Sequence, residues 1–138
     1  MTFPPAVARL VEAANAHDLD AMTDSFAPEF VNETPAHPER NFHGRDQVRR
    51  NWSQIFRAVP SIRIDALRWA VDAEDLVWVE WDFSGTFVDG SPHRMRGVSI
   101  FVIEQDRLAR VRFYLEPVQT DGVTAETAVQ HVMDQAHS

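Results

Sequence analysis

The stretch LVWVEWDFSGTFV, residues 76–88, decides the fold. Apolar side chains alternate with other side chains along it, which is the period of a β-strand with one buried face. The core side of this strand is predicted to carry Val77, Val79, Trp81 and Phe83.

Three further segments with the same period of two accompany this strand. Turn residues separate all four segments, and Asp89–Gly90 is the strongest hairpin signal in the chain. The pattern predicts an antiparallel meander with strands at about 62–73, 76–88, 93–104 and 108–118. Strands of this length tend to twist and to curl around a second layer.

Two helices are predicted before the meander. The first follows Pro4 and Pro5, where apolar residues recur at spacings of three and four. The second is expected to be capped by Asp18, to carry Phe26 on its apolar face and to stop at Pro28. We expect the two helices to form a hairpin that supplies the second layer.

A short extended segment, a loop and a third helix complete the N-terminal half. The extended segment is predicted at 29–34, and the loop at 35–44 contains two prolines and one glycine. The third helix is predicted at 45–59, with Trp52 and Phe56 on its apolar stripe. Such a stripe is usually core packing, and in a cavity-forming fold the same residues form the cavity wall.

Length and composition limit the class of protein. The 138 residues suit one domain, predicted at 1–120, followed by a C-terminal tail at 121–138 with helical periodicity. A net charge of −8 disfavours nucleic acid as a partner. The sequence contains neither a run of eighteen apolar residues nor a signal-peptide pattern, so we expect a cytoplasmic protein without a membrane segment.

Metal and cofactor chemistry has little support in the sequence. The chain contains no cysteine, which excludes thiolate ligands and thiol nucleophiles. Its six histidines form no pair at metal-binding spacing. We therefore expect neither a metal ion nor a cofactor.

Four motifs, in this order of elements, resemble the SnoaL-like family of the nuclear transport factor 2 superfamily, which includes ketosteroid isomerase and limonene epoxide hydrolase. The motifs are NAHDLD at 15–20, FAPEFV at 26–31, FHGRD at 42–46 and EWDFSG at 80–85, and the resemblance covers about 6–118. It implies a cone-shaped α+β fold with the N-terminal helices packed on a strongly bent, mostly antiparallel sheet. It also implies a pocket between the helices and the sheet.

The active-site residues of the two related enzymes are largely replaced in this sequence. The positions that match the ketosteroid isomerase site carry Leu10, Thr34 and Ser99, none of which can perform that acid–base work. Of the acidic and basic set in limonene epoxide hydrolase, only Asp82 is kept, and Glu80 stands where the resemblance implies an arginine. Neither mechanism is expected here.

Three carboxylates remain as candidate catalytic groups, namely Glu33, Glu80 and Asp82. The resemblance implies that they line the pocket, where an apolar wall would raise the pKa of a carboxyl group. The alternation along residues 76–88 instead places Glu80 and Asp82 on the outer face, opposite Arg94 or Arg96. Both placements remain open at the level of sequence.

The function predicted from these features is the binding of a small hydrophobic molecule of polyketide, terpenoid or aromatic type. The prediction extends to cofactor-independent conversion of this molecule by an isomerase, cyclase or hydrolase reaction. The alternative is a non-catalytic binding or dimerisation domain. A homodimer through the outer sheet face is also expected. The ligand-binding candidates are Trp52, Phe56, Phe26, Ser99, Phe113 and Leu115.

Overall fold

Four α-helices and a six-stranded sheet form the part of the chain that the computed structural model describes, residues 3–136. The helices are α1 (Pro5–Asn15), α2 (Leu19–Asp24), α3 (Arg45–Ala58) and α4 (Ala125–Ala136). The strands are β1 (Phe26–Glu33), β2 (Phe42–His43), β3 (Arg63–Val71), β4 (Val77–Thr86), β5 (Pro92–Glu104) and β6 (Arg107–Pro117). Two residues of the expected domain, Met1 and Thr2, and two of the expected tail, His137 and Ser138, lie outside the described residues.

The sheet has the strand order β2-β1-β6-β5-β4-β3. Strands β3 to β6 form the predicted antiparallel meander, whereas β1 joins β6 in parallel. The three meander turns contain residues with positive φ, which tight hairpins require: Asp75 at 61°, Gly90 at 90° and Asp106 at 61°. The predicted α+β class is confirmed.

The second helix is shorter than the sequence predicts. It ends before Ser25, whose carbonyl oxygen accepts a hydrogen bond of 2.9 Å from the N–H of Leu108 and so draws the chain toward the sheet. Phe26 therefore begins β1, and its predicted position on the helix is wrong. Pro28 lies within β1 where the pairing with β6 is interrupted, so its missing N–H removes no regular ladder bond.

The core lies between the helices and the concave face of the sheet. The alternation of β4 is confirmed, since its four predicted core residues are all buried. Helices α1 and α2 cover them with apolar side chains that include Val7, Leu10, Ala14 and Met22. By contrast, no described residue of α4 is buried.

Asn15, the last residue of α1, joins the helices to the edge strand β3. Its amide donates to the carbonyl oxygen of Ile64 at 3.0 Å, and its Oδ1 accepts from the N–H of Ile64 at 2.8 Å. Nearby, Nε2 of His17 lies 3.0 Å from the carbonyl oxygen of Ile62. An edge strand leaves backbone groups unpaired on its outer side, and one asparagine side chain satisfies two of them here.

We expect Asn15→Ala to lower the free energy of unfolding by about 2 kcal/mol, because a donor and an acceptor of partly buried backbone both lose their partner. Urea denaturation measures this change. Gln130→Ala, which removes an exposed amide from α4, is the control and should stay within about 0.5 kcal/mol of the wild type. An equal, small effect of both substitutions would contradict the structural role of Asn15.

Candidate functional site

A cavity of about 450 Å³ lies between the helices and the concave face of the sheet. Its volume is within the range of about 300–1,000 Å³ that is usual for small-molecule sites. Helix α3 and the central strands supply most of the large side chains of its wall, among them Trp52, Ile55, Trp81, Phe83 and Phe113.

The two ends of the cavity differ in exposure. At one end the lining residues Phe26 and Phe101 are buried, with 6% and 4% of their surface accessible. At the other end, where β6 finishes and β5 begins, Pro117 and Arg40 are exposed and His93 is partly exposed. We call this end the mouth of the cavity and define it by these last three residues.

Five of the six ligand-binding candidates line the cavity: Phe26, Trp52, Ser99, Phe113 and Leu115. The sixth, Phe56, is absent from the lining, because its ring stacks on the imidazole of His17 with a centroid separation of 4.8 Å. The expected position of Phe56 in the pocket wall is therefore wrong. A role of the other five in ligand binding stays a prediction.

The carboxylates of β4 lie on the outer face of the sheet, as the alternation predicts. Asp82 accepts hydrogen bonds from Arg94 at 3.2 Å and from Arg96 at 3.3 Å. Glu80 forms an ion pair of 2.8 Å with Arg68. The pocket position that the resemblance implies for them is wrong, since the large side chains that alternate with them occupy the inner face.

Glu33 also points away from the cavity. Its neighbours Asn32 and Thr34 line the cavity, so the intervening side chain of β1 lies on the opposite face. There its carboxylate lies 2.8 Å from Arg110 and 4.0 Å from Arg112. The three candidate carboxylates thus belong to ion pairs on the outer surface.

The polar groups of the cavity lining offer hydrogen-bond donors in particular. The indole of Trp81 donates to Oγ of Ser99 at 2.6 Å, and since indole has no acceptor, the hydroxyl proton of Ser99 is left for another partner. Oδ1 of Asn51 accepts from Gln47 at 2.7 Å, which leaves the Asn51 amide N–H groups available. A ligand with acceptor oxygens suits such a lining.

His93 is a lining residue that the sequence analysis did not single out. Its Nε2 is shielded from solvent and has no hydrogen-bond partner among residues 3–136, and its ring meets Phe87 edge to face at 5.2 Å. Burial lowers the pKa of His93, so the imidazole is neutral at pH 7 and can accept a proton. The available signal was the period of two, which places His93 on the same face of β5 as Ser99.

Arg40 is the second lining residue that the sequence analysis missed. It ends a short 3₁₀ turn, Pro38–Arg40, within the predicted loop. Its guanidinium makes no ion pair with any acidic residue in the described part of the chain. No sequence pattern marks it, because its position depends on how the loop folds over the end of the sheet.

Residues 3–136 lack both a cluster of metal-binding side chains and a helix able to span a membrane. These residues hold no group of three or more His, Cys, Asp or Glu side chains arranged to bind a metal ion. None of their helices is both long and apolar enough to cross a membrane.

The fold and the cavity define a SnoaL-like domain, and the comparison with known families agrees. The family model described as a SnoaL-like domain matches residues 7–111, which is well over half of the chain. The chain therefore belongs to this family, and the resemblance found in the sequence is confirmed. No curated protein matches it.

Solved structures show the same fold. A proposed polyketide cyclase from Sinorhizobium meliloti is 28% identical with a TM-score of 0.64, over 83% of this chain and 95% of that chain. A second proposed polyketide cyclase, described as SnoaL-like, comes from Jannaschia sp. CCS1. It is 19% identical with a TM-score of 0.65, over 80% of this chain and 83% of that chain. A hypothetical protein with a ketosteroid isomerase-like fold from Catenulispora acidiphila, in complex with trimethylamine, is 15% identical with a TM-score of 0.68, over 92% and 95%.

We expect Asp82→Asn to lower the free energy of unfolding by about 1 kcal/mol at pH 7 and to leave ligand binding unchanged. The hydrogen bond from Arg94, which has the larger effect, and that from Arg96 hold the pKa of Asp82 below its usual value. A carboxyl group with a lowered pKa stabilises the fold at pH values above its unfolded-state pKa of about 3.9. This stabilisation is lost as the pH falls from that value through the lower pKa of the folded state. Urea denaturation across this range should therefore show the variant and the wild type converging in acid.

Glu74→Gln is the matched control for this prediction, since Glu74 is exposed and makes no ion pair with the described residues. Its stability should follow that of the wild type at every pH. A variant of Asp82 that kept full stability but lost ligand binding would show that this carboxylate acts in the site.

Proposed function

We propose that the protein binds a small hydrophobic molecule in the cavity between its helices and its sheet. The observation that carries this proposal is the cavity of about 450 Å³ with its largely aromatic and aliphatic wall. Protein interiors contain few voids larger than a water molecule, so close packing of the core does not account for a cavity of this size. Among the predicted polyketide, terpenoid and aromatic ligands, the likeness to a proposed polyketide cyclase supports the polyketide class.

An uncharged fluorescent probe, N-phenyl-1-naphthylamine, tests this proposal. We expect the wild type to bind it with micromolar affinity and Ile55→Trp to bind it at least tenfold more weakly, because the added indole fills the cavity from α3. The change in probe fluorescence on titration gives the affinity.

Val88→Trp is the control, since it adds the same side chain at a position that is 75% exposed and outside the lining. Both variants should keep the melting temperature of the wild type to within a few degrees. Equal affinities for the probe in all three proteins, or no binding by the wild type, would overturn the proposal.

A second candidate function is acid–base conversion of the bound molecule, and His93 favours it. A neutral imidazole at the mouth can remove a proton from a carbon next to a carbonyl group and return it elsewhere, which is the step common to isomerisation and cyclisation. The amide donor of Asn51 would stabilise the negative charge that develops on the carbonyl oxygen. Neither step requires a cofactor.

Deuterium exchange into 2-tetralone, followed by NMR in deuterated buffer, measures this proton transfer directly. We expect the wild type to accelerate the exchange and His93→Gln to reduce the acceleration about 100-fold, while binding of the neutral probe is kept. The wild-type rate should fall only when the pH drops below the ordinary imidazole pKa of about 6.5, since burial lowers the pKa of His93.

His43→Gln is the matched control, because the side chain of His43 is 62% exposed and outside the cavity lining. Exchange at the wild-type rate in His93→Gln would exclude His93 as the base. No acceleration by the wild type would instead favour the alternative, a non-catalytic binding or dimerisation domain.

We also propose a homodimer through the outer face of the sheet, whether or not the protein is catalytic. Trp78 and Tyr114 support it, since 42% and 44% of their surfaces are exposed on that face. Trp78 of β4 pairs with Ile100 of β5, and Tyr114 of β6 pairs with Val98 of β5, so both rings lie over the central strand β5. A second copy packed there would cover both aromatic rings.

A further inference from the structure

We propose that the cavity selects hydrophobic molecules that carry one carboxylate group, and that Arg40 at the mouth binds this carboxylate. The inference rests on the proposed function and adds the chemical class of the ligand. It starts from the charge of Arg40, the geometry of its loop and the polarity of the remaining lining.

Arg40 is a cation without a protein partner at the mouth of an apolar cavity. All thirteen basic residues of the chain are arginines, and many of the others form ion pairs within 4.0 Å, as Arg94, Arg96 and Arg110 do. Arg40 forms none with residues 3–136, and the cavity lining contains no carboxylate. The charge that would neutralise it can therefore come from a bound molecule.

Hydrogen bonds hold the loop of Arg40 in place. The Arg40 N–H donates to the His37 carbonyl at 2.9 Å, and the His37 N–H donates to the Thr34 carbonyl at 2.8 Å. Oδ1 of Asn41 accepts from the Thr34 N–H at 2.6 Å, and the His37 ring lies 2.8 Å from the Glu116 carboxylate on β6. Because the backbone is already ordered, binding through Arg40 orders only its side chain.

Two of the remaining polar groups of the lining, Ser99 and Asn51, suit the same ligand. Ser99 and Asn51 present donors, and Oγ1 of Thr34 already accepts from the amide of Asn32 at 3.2 Å. Donors stabilise acceptor oxygens and offer nothing to an ammonium group. A planar guanidinium also matches the two oxygens of a carboxylate, with which it forms paired hydrogen bonds.

The orientation of the ligand follows from the two ends of the cavity. The inner end at Phe26 and Phe101 is apolar and buried, so a carboxylate placed there would lose its hydration without gaining a partner. The mouth offers both water and Arg40. The hydrophobic body therefore enters first, and the carboxylate stays at the mouth beside Arg40.

Competition against the uncharged probe N-phenyl-1-naphthylamine tests the inference with two ligands of equal shape, 2-naphthoate and 2-naphthamide. We expect the wild type to prefer the naphthoate about fivefold at low salt, and Arg40→Gln to abolish this preference while it binds the naphthamide and the probe as before. Raising the salt concentration should reduce the preference in the wild type.

Arg57→Gln is the matched control, because Arg57 is exposed, forms no ion pair with the described residues and lies outside the lining. It removes the same charge and should keep the wild-type preference. An equal loss in both variants, or a wild type that binds the probe but does not prefer the naphthoate, would overturn the inference. A wild type that fails to bind even the neutral probe would overturn the proposed function as well.

Discussion

The two hydrogen bonds between the side chain of Asn15 and the backbone of Ile64 fix the separation of helices and sheet, and the cavity depends on that separation. They hold the end of α1 to the edge strand β3 at a place where no further strand follows. Helices α1 and α2, attached in this way, contribute Leu10 and Met22 to the cavity lining. A polar contact at the rim thus acts together with the apolar packing of α1 and α2 on the sheet to position the wall of the cavity.

The inner face of the sheet stays open because of a second constraint, at Gly97. A Cβ at this position would lie 2.2 Å from the carbonyl oxygen of Tyr114 and 2.7 Å from Cα of Leu115, so only glycine allows β5 and β6 to approach as they do. Gly97 lies between two lining residues, Met95 and Ser99, and adds no side chain to the floor between them. The same residue therefore permits the strand contact and leaves room for a ligand.

Family resemblance predicted the cavity, and periodicity placed the carboxylates of β4 more accurately than the resemblance did. The alternation along β4 placed Asp82 among the arginines of β5 correctly, whereas the resemblance assigned it to the pocket. A shift of one residue in an aligned strand exchanges the two faces, so a motif can identify a fold and still misplace its side chains. Arg40 escaped prediction for another reason, because its position depends on a loop that packs on β6, far away in the sequence. The period of two could have placed His93 in the lining, but it carries no information on the burial of the imidazole.

The groups that stabilise the fold and the groups that face the cavity form separate sets. Ion pairs on the outer face, such as Asp82 with Arg94, neutralise most of the charge on the central strands without reaching the interior. The lining then holds one unpaired cation, Arg40, and one neutral base, His93, against an apolar background. Nε2 of His93 is shielded from solvent and acts on a ligand without competition from water, whereas Arg40 acts from the solvent-exposed mouth. Substitutions at the mouth can therefore change the ligand while the hydrogen bonds and ion pairs that maintain the fold remain intact, which is how one scaffold accommodates different chemistry.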